Sequence, residues 1–236
     1  LIDIHSHILY GVDDGSKDVS TTQNMLALAY AEGIRTILAT PHYHTGMSPA
    51  LAEKKRRVFE TTKILAQITA PDFHLLLGGE LYFSSATIQA LDKGLAPTLN
   101  QTPYVLIEFP VYIEFSYIMR AVQDLQNAGY WPILAHIERY LALKSQQNIA
   151  LLSDLGALMQ VNASTLIGGG KMSRFLLKCM KRGLIDLIAT DAHGIQHRPP
   201  EMQDTILLLD KKLGKTLREE MTELKPKKVI KGEVIK

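Results

Sequence analysis

Among 236 residues only one, Cys179, is a cysteine, so no intrachain disulfide can form and a reducing compartment is expected. Long apolar runs are equally scarce. No stretch approaches the roughly twenty residues that span a bilayer, and the N-terminus opens directly on strand-like residues rather than on a leader. The expectation is a cytoplasmic protein without a transmembrane segment. Excess charge is missing too: a formal net charge of +2 points away from nucleic acid and from strongly basic membrane binding. What the chain has is an apolar share of 46%, enough for a sizeable core in one large α/β domain or two small ones.

Seven short apolar segments read as strands, at residues 1–4, 36–40, 74–80, 104–109, 131–136, 158–163 and 184–193. Helical segments separate them. Ser20-Thr-Thr-Gln23 has the form of a capping box, and Ser48-Pro49 places proline at a first helical position. Ser145 caps another helix, and Pro199-Pro200 opens a last long one toward Gly214. No linker or compositional break interrupts this alternation, so residues 1–224 read as one domain, followed by a basic tail at 225–236. Strict alternation implies parallel strands with helical crossovers, and near-continuous apolar strands imply a sheet covered on both faces. The polar residues favour a closed barrel over an open sheet. His5, His42, Glu80, Glu108, His136 and Asp191 fall at or just beyond the C-terminal ends of six different strands, which converge on one mouth only in a barrel.

Taken singly, each of these residues has an ordinary explanation. A glutamate at a strand end is usually solvated, and a histidine after an apolar run is usually hydrogen-bonded in a core. Jointly those explanations fail, because so much charge in one mouth is expensive unless it is paired or bound to cations. His5 and His7, two apart on an extended backbone, point the same way and can share one ion, and the loop after them carries Asp13 and Asp14 between glycines. Mixed imidazole and carboxylate donors suit Mn, Fe, Co or Zn without choosing among them.

The order His-x-His, Asp, Pro-His, Glu, Glu, His, Asp-x-His resembles the PHP (polymerase and histidinol phosphatase) superfamily. More narrowly, the chain resembles its bacterial protein-tyrosine phosphatases of capsular and exopolysaccharide biosynthesis. That likeness rests on Asp3-Ile-His-Ser-His7 with Gly11-Val-Asp-Asp-Gly15, Ala39-Thr-Pro-His42, Gly79-Glu80 and Leu106-Ile-Glu-Phe-Pro110. Pro132-Ile-Leu-Ala-His136-Ile-Glu-Arg139 and Thr190-Asp-Ala-His193 with Arg198 complete it. The resemblance implies a distorted seven-stranded parallel (β/α)7 barrel around two or three divalent ions, with Mn favoured. His5, His7, Glu80 and Asp191 would hold one ion, and Glu80 would bridge to a second held by Glu108 and His136. Asp14, His42 and His193 would hold a third. Arg139 and Arg198 would contact phosphate, and the substrate would be a phosphotyrosine-bearing bacterial tyrosine autokinase.

A cysteine-based phosphatase is excluded, since its loop needs Cys-x5-Arg and Ile185 stands six residues after Cys179. Gly168-Gly-Gly170 lacks the Lys-Ser/Thr ending of a phosphate loop, because Met172 follows Lys171. A nuclease would need a basic groove or a stacking series, and neither is visible. The remaining alternative is a small-molecule phosphatase of the same superfamily, such as one acting on histidinol phosphate. Its discriminator is the rim, where Tyr43, Tyr82, Phe83, Tyr112, Phe115 and Tyr117 follow ligand-bearing strands as either rim or core. His44 and His197 are expected to shape the mouth rather than to act as acids.

Overall fold

Each strand has two faces to cover, and the two hydrophobic clusters show how both are covered. One cluster fills the space between strands and helices, and the other lies inside the curled sheet. The computed structural model describes residues 1–235. In chain order the elements are β1 (Ile2–Ser6), α1 (Val19–Ala31), β2 (Thr36–Ala39), β3 (His42–Tyr43), α2 (Pro49–Thr69), β4 (His74–Leu77), β5 (Glu80–Tyr82) and α3 (Thr87–Asp92). There follow β6 (Tyr104–Glu108), α4 (Phe115–Asn127), β7 (Trp131–Leu134), α5 (Gln146–Asp154), β8 (Leu158–Asn162), α6 (Ala163–Ile167) and α7 (Gly170–Lys181). The chain ends with β9 (Leu187–Ala189), α8 (Gln203–Leu213), α9 (Lys215–Glu219) and α10 (Lys225–Lys231).

Every strand pairing is parallel. One sheet runs β1-β2-β4 and the other β3-β5-β6-β7-β8-β9. A parallel bridge between Ser6 and Ala192 brings β1 beside the segment that follows β9, so the sheet curls back toward its start. The strand count departs from the seven expected: nine short strands in two sheets stand among the described residues. Two extended segments are each broken once. Between β2 and β3 lies Pro41, which has no N–H to give a ladder. Between β4 and β5 lie Gly78 and Gly79, where a Cβ would come within 2.6 Å of Leu99 and 2.8 Å of Tyr43 respectively.

Other boundaries move for local reasons. Asp18, not Ser20, caps α1, its carboxylate accepting from Thr21 N at 2.7 Å. Ser48 and Ser145 cap α2 and α5 as expected. The Pro199-Pro200 pair precedes α8 without opening it; that helix starts at Gln203. Among the described residues no helix is long and apolar enough to cross a membrane.

The stretch read as a basic tail does not hang free. α10 buries Val229 completely against the inner cluster of Ile4, Leu38, Tyr104, Leu106 and Leu187. Asn100 Nδ2 donates to Ile230 O at 2.9 Å, and Tyr104 Oη donates to Glu233 O at 2.9 Å. Lys225 Nζ reaches Asp186 at 2.8 Å. These partners lie more than thirty residues upstream, so no local periodicity announces them; Lys236 lies outside the described residues. Because Val229 seals an apolar floor, Val229→Asp is expected to lower the unfolding free energy by about 3 kcal/mol or more, measured by urea denaturation.

Candidate metal centre

Along several inward strand faces, apolar side chains at the N-terminal end give way to polar ones at the C-terminal end. In β6 the face reads Tyr104, Leu106, Glu108; in β8 it reads Leu158, Gln160, Asn162. After β9 the same face continues from Leu187 and Ala189 to Asp191. The interior is therefore oily at its floor and charged at its mouth. His136 and Asp191 meet that mouth from left-handed backbone, at φ 31° and 53°, a conformation uncommon for residues other than glycine. Buried Asp3 helps hold the second of these in place by accepting from Thr190 N at 3.0 Å.

All nine residues expected as ligands are brought to this mouth. His5 Nε2 and His7 Nε2 stand 3.2 Å apart, and each lies within 3.5 Å of both Glu80 and Asp191. His136 Nε2 is 2.8 Å from Glu80 Oε1 and 3.5 Å from Glu108 Oε1. His42 presents Nδ1 at 3.0 Å to Glu80 Oε2 and Nε2 at 3.2 Å to Asp14 Oδ1, which also lies 3.5 Å from His193 Nε2. Three overlapping groups can each close on one cation: His7, Asp14, His42 and His193; His5, His7 and Glu80; and His42, Glu80 and Glu108. His7 and His42 thus stand nearer to neighbouring groups than the expected partition had them.

The donor set fits a metal cluster. Glu80 Oε2 is buried and makes no well-formed hydrogen bond, although two imidazole nitrogens lie 3.0 and 3.2 Å away. Lone pairs that crowd together without hydrogen-bonding are placed to share a cation. The outer ring nitrogens are meanwhile anchored. His5 Nδ1 meets Gln160 Oε1 at 3.1 Å and His7 Nδ1 meets Asp13 Oδ2 at 3.0 Å. Both partners accept, so Nδ1 carries the proton and Nε2 turns its lone pair inward. Asp13 also accepts from His42 N at 3.1 Å, which ties the opening loop to β3. Gly15 closes that loop against His7 so tightly that a Cβ would lie 2.2 Å from the His7 carbonyl.

Electrostatics follow from this crowding. Burial alone would raise Glu80, but the surrounding imidazoles, His5 above all, hold its carboxyl well below the usual range. Burial opposes a charged His7, yet Asp13 and Glu80 overcome it and raise the ring to about 10. Asp13 is correspondingly held at about 2, burial notwithstanding. Burial and the charge of Glu80 push Glu108 up. Protons sit here where cations compete for the same lone pairs.

Arg139 and Arg198 stand over the cluster. Both hydrogen-bond to Asp191 Oδ2, Arg198 Nη1 at 3.2 Å, while Asp191 Oδ1 faces His5 and His7. Asn162 Nδ2 adds a third donor to the same oxygen at 2.8 Å. Of the aromatic candidates, Tyr82, Tyr112 and Tyr117 are exposed, Tyr43 and Phe83 are core, and Phe115 is half-buried. The sequence reading missed Asp13, Gln160, Asn162 and Lys55 as supports. Gln160 and Asn162 did leave a signal: two amides on alternate positions of an apolar strand share one face. Lys55 left none; it reaches from α2 to donate to the His42 carbonyl and stands 4.3 Å from the Tyr43 ring.

The model of the family described as capsular polysaccharide synthesis, CpsB/CapC, matches residues 1–231. Tyrosine-protein phosphatase CpsB of Streptococcus pneumoniae is 33% identical, with 100% of each chain covered. A solved chain from work on Bacillus subtilis YwqE and S. pneumoniae CpsB, described as metal-dependent tyrosine phosphatases, superposes with a TM-score of 0.89 at 32% identity, covering 100% of this chain and 96% of that one. At the level of fold alone, the chain is similar to the Escherichia coli phosphotriesterase homology protein, with a TM-score of 0.59 and 11% identity over 95% of this chain and 96% of that one.

Two outcomes are expected. Gln160→Ala frees the His5 ring and should weaken divalent-ion affinity about 10- to 100-fold, read by calorimetric titration. Burial lowers Lys55 to about 8 from its ordinary 10.5, so above pH 8 the unfolded chain binds the extra proton. Relative to Lys55→Met, the wild type should therefore gain stability as pH rises between those two values, measured by denaturation at several pH values.

Proposed function

The chain belongs to the CpsB/CapC family of capsular polysaccharide synthesis, and on that premise we propose that it dephosphorylates a bacterial tyrosine autokinase and so regulates capsular or exopolysaccharide synthesis. The activity is that of a metal-dependent protein-tyrosine phosphatase. One observation carries the reading: eight imidazole and carboxylate groups converge around buried Glu80, beneath two arginines that share one oxygen of Asp191. A cytoplasmic location belongs to the same reading. So does a seven-membered barrel, if β2 with β3 and β4 with β5 are each taken as one interrupted strand.

We assign His5, His7, Glu80 and Asp191 to one ion, Glu80, Glu108 and His136 to a second, and Asp14, His42 and His193 to a third. Manganese is the preferred ion. His7 and His42 lie where these sets adjoin, which the overlapping groups support. Bound divalent ions supply Lewis acidity, which brings the pKa of water toward neutrality and offsets phosphate charge. The protein's own groups do the positioning. Asp191 orients both guanidinium groups, and their remaining N–H donors suit paired phosphoryl oxygens. Gln160 and Asp13 keep the His5 and His7 rings in the tautomer that faces inward. A phenolate leaving group, with a pKa of about 10, demands less protonation than an alkoxide. Exposed His44 and His197 are left to shape the mouth.

The test is phosphate release from a phosphotyrosyl peptide and from histidinol phosphate, side by side, with Mn present or chelated. Turnover of the peptide should require the metal and vanish in His136→Ala. Arg139→Lys, which loses the planar fork, should lower kcat/KM about 100-fold. Strong preference for histidinol phosphate would move the function to small-molecule chemistry, and hydrolysis of neither ester would overturn the assignment.

A further inference from the structure

The strands that carry His42 and Glu80 have a second face, and the chemistry above makes no use of it. Tyr43 and Leu81 follow the two ligands directly, and alternation along a strand turns them away from the metal mouth toward α2 and α3. Between these strands and helices lies a cavity of about 110 Å³, lined by Tyr43, Met47, Ala52, Leu81, Ala90 and Leu95. His44 and Tyr82 also line it and are exposed, so it opens beside the loops that leave the metal ligands. Thr45 Oγ1 and Ser84 Oγ, 3.3 Å apart, tie those loops together.

Close-packed interiors seldom leave such a space. Its lining is mostly aliphatic and aromatic carbon, so water inside would find few of the two to four polar partners it needs. The volume suits one aliphatic side chain; an engineered cavity of about 150 Å³ takes up benzene. Its walls begin one residue beyond His42 and Glu80, so pocket and metal mouth occupy opposite faces of the same two short strands. Lys55, over the Tyr43 ring at 4.3 Å, braces one wall.

We propose that this pocket is a specificity subsite that receives an apolar side chain next to the phosphotyrosine in the substrate polypeptide. The proposal rests on the tyrosine-phosphatase reading and deepens it: the substrate is a polypeptide with an aliphatic residue flanking its phosphotyrosine, rather than any aryl phosphate.

The experiment uses the full chain loaded with Mn and three substrates: a phosphotyrosyl peptide with leucine on both sides of the phosphotyrosine, the same peptide with glycine there, and p-nitrophenyl phosphate. The wild type should favour the leucine peptide over the glycine peptide by about tenfold in kcat/KM, mainly through KM. Ala52→Leu and Ala90→Leu, which fill the cavity from two different helices, should bring that preference close to unity without lowering the thermal midpoint. They should also lower the ratio of leucine-peptide to p-nitrophenyl phosphate turnover. Equal use of the two peptides by the wild type would overturn the subsite, as would a preference retained in both filled variants. Loss of all metal-dependent turnover, p-nitrophenyl phosphate included, would remove the phosphatase reading and the subsite with it; turnover without peptide preference removes the subsite alone.

Discussion

Glu80 is the constraint around which the molecule is arranged. Its carboxylate is 1% exposed and has nitrogens of His5, His7, His42 and His136 within 3.4 Å. A lone buried carboxylate costs several kcal/mol, and four neutral imidazoles whose lone pairs face it would add to that cost. Only positive charge at the centre resolves the conflict. Protons on the rings provide it in part, as the raised His5, His7 and His42 show, and divalent ions provide it more fully. The supports follow from the same need. Asp13 and Gln160 set ring tautomers, while the three donors on Asp191 Oδ2 leave its other oxygen turned toward His5 and His7.

The fold makes such a centre tolerable by separating polarity along each strand. Inward faces are aliphatic at the floor, where α10 and the segment after it seal the interior, and polar at the mouth. The left-handed backbone at His136 and Asp191 lies at the polar end. Hydrogen bonds hold it there: His136 N donates to Gln160 Oε1 at 2.8 Å, and Asp191 N donates to His5 O at 2.9 Å.

The same strands serve two purposes on opposite faces. β3 and β5 are short, two and three residues, yet each sends a candidate ligand inward and a pocket wall outward. On the proposed assignments, metal chemistry and substrate choice are mechanically joined, because a shift of either strand moves both. The interruptions at Pro41 and at Gly78-Gly79 divide the two pairs into separate sheets, although Gly78 N to Ala39 O and Glu80 N to Pro41 O still bridge the break.

What the sequence determined by itself was chemical type and periodicity. His-x-His on an extended segment, a carboxylate or imidazole ending each apolar run, and arginines just past His136 and Asp191 were enough to assemble the candidate centre. Those features are local in the sequence, although His5 and His136 follow inward-facing Ile4 and Ala135 and reach the mouth only through a register irregularity and a left-handed residue. Tertiary structure decided whatever depends on partners distant in the chain. Gln160 became a ring anchor only when the curled sheet brought β8 to face β1 across its interior, and Val229 became a floor only when α10 met Tyr104. Strand continuity was settled in the same way. Gly78-Gly79 sits within a single apolar run, and its break arises because Leu99 and Tyr43 pack against it from elsewhere in the fold. Packing of this kind leaves no period in the sequence, because neither partner is its neighbour there.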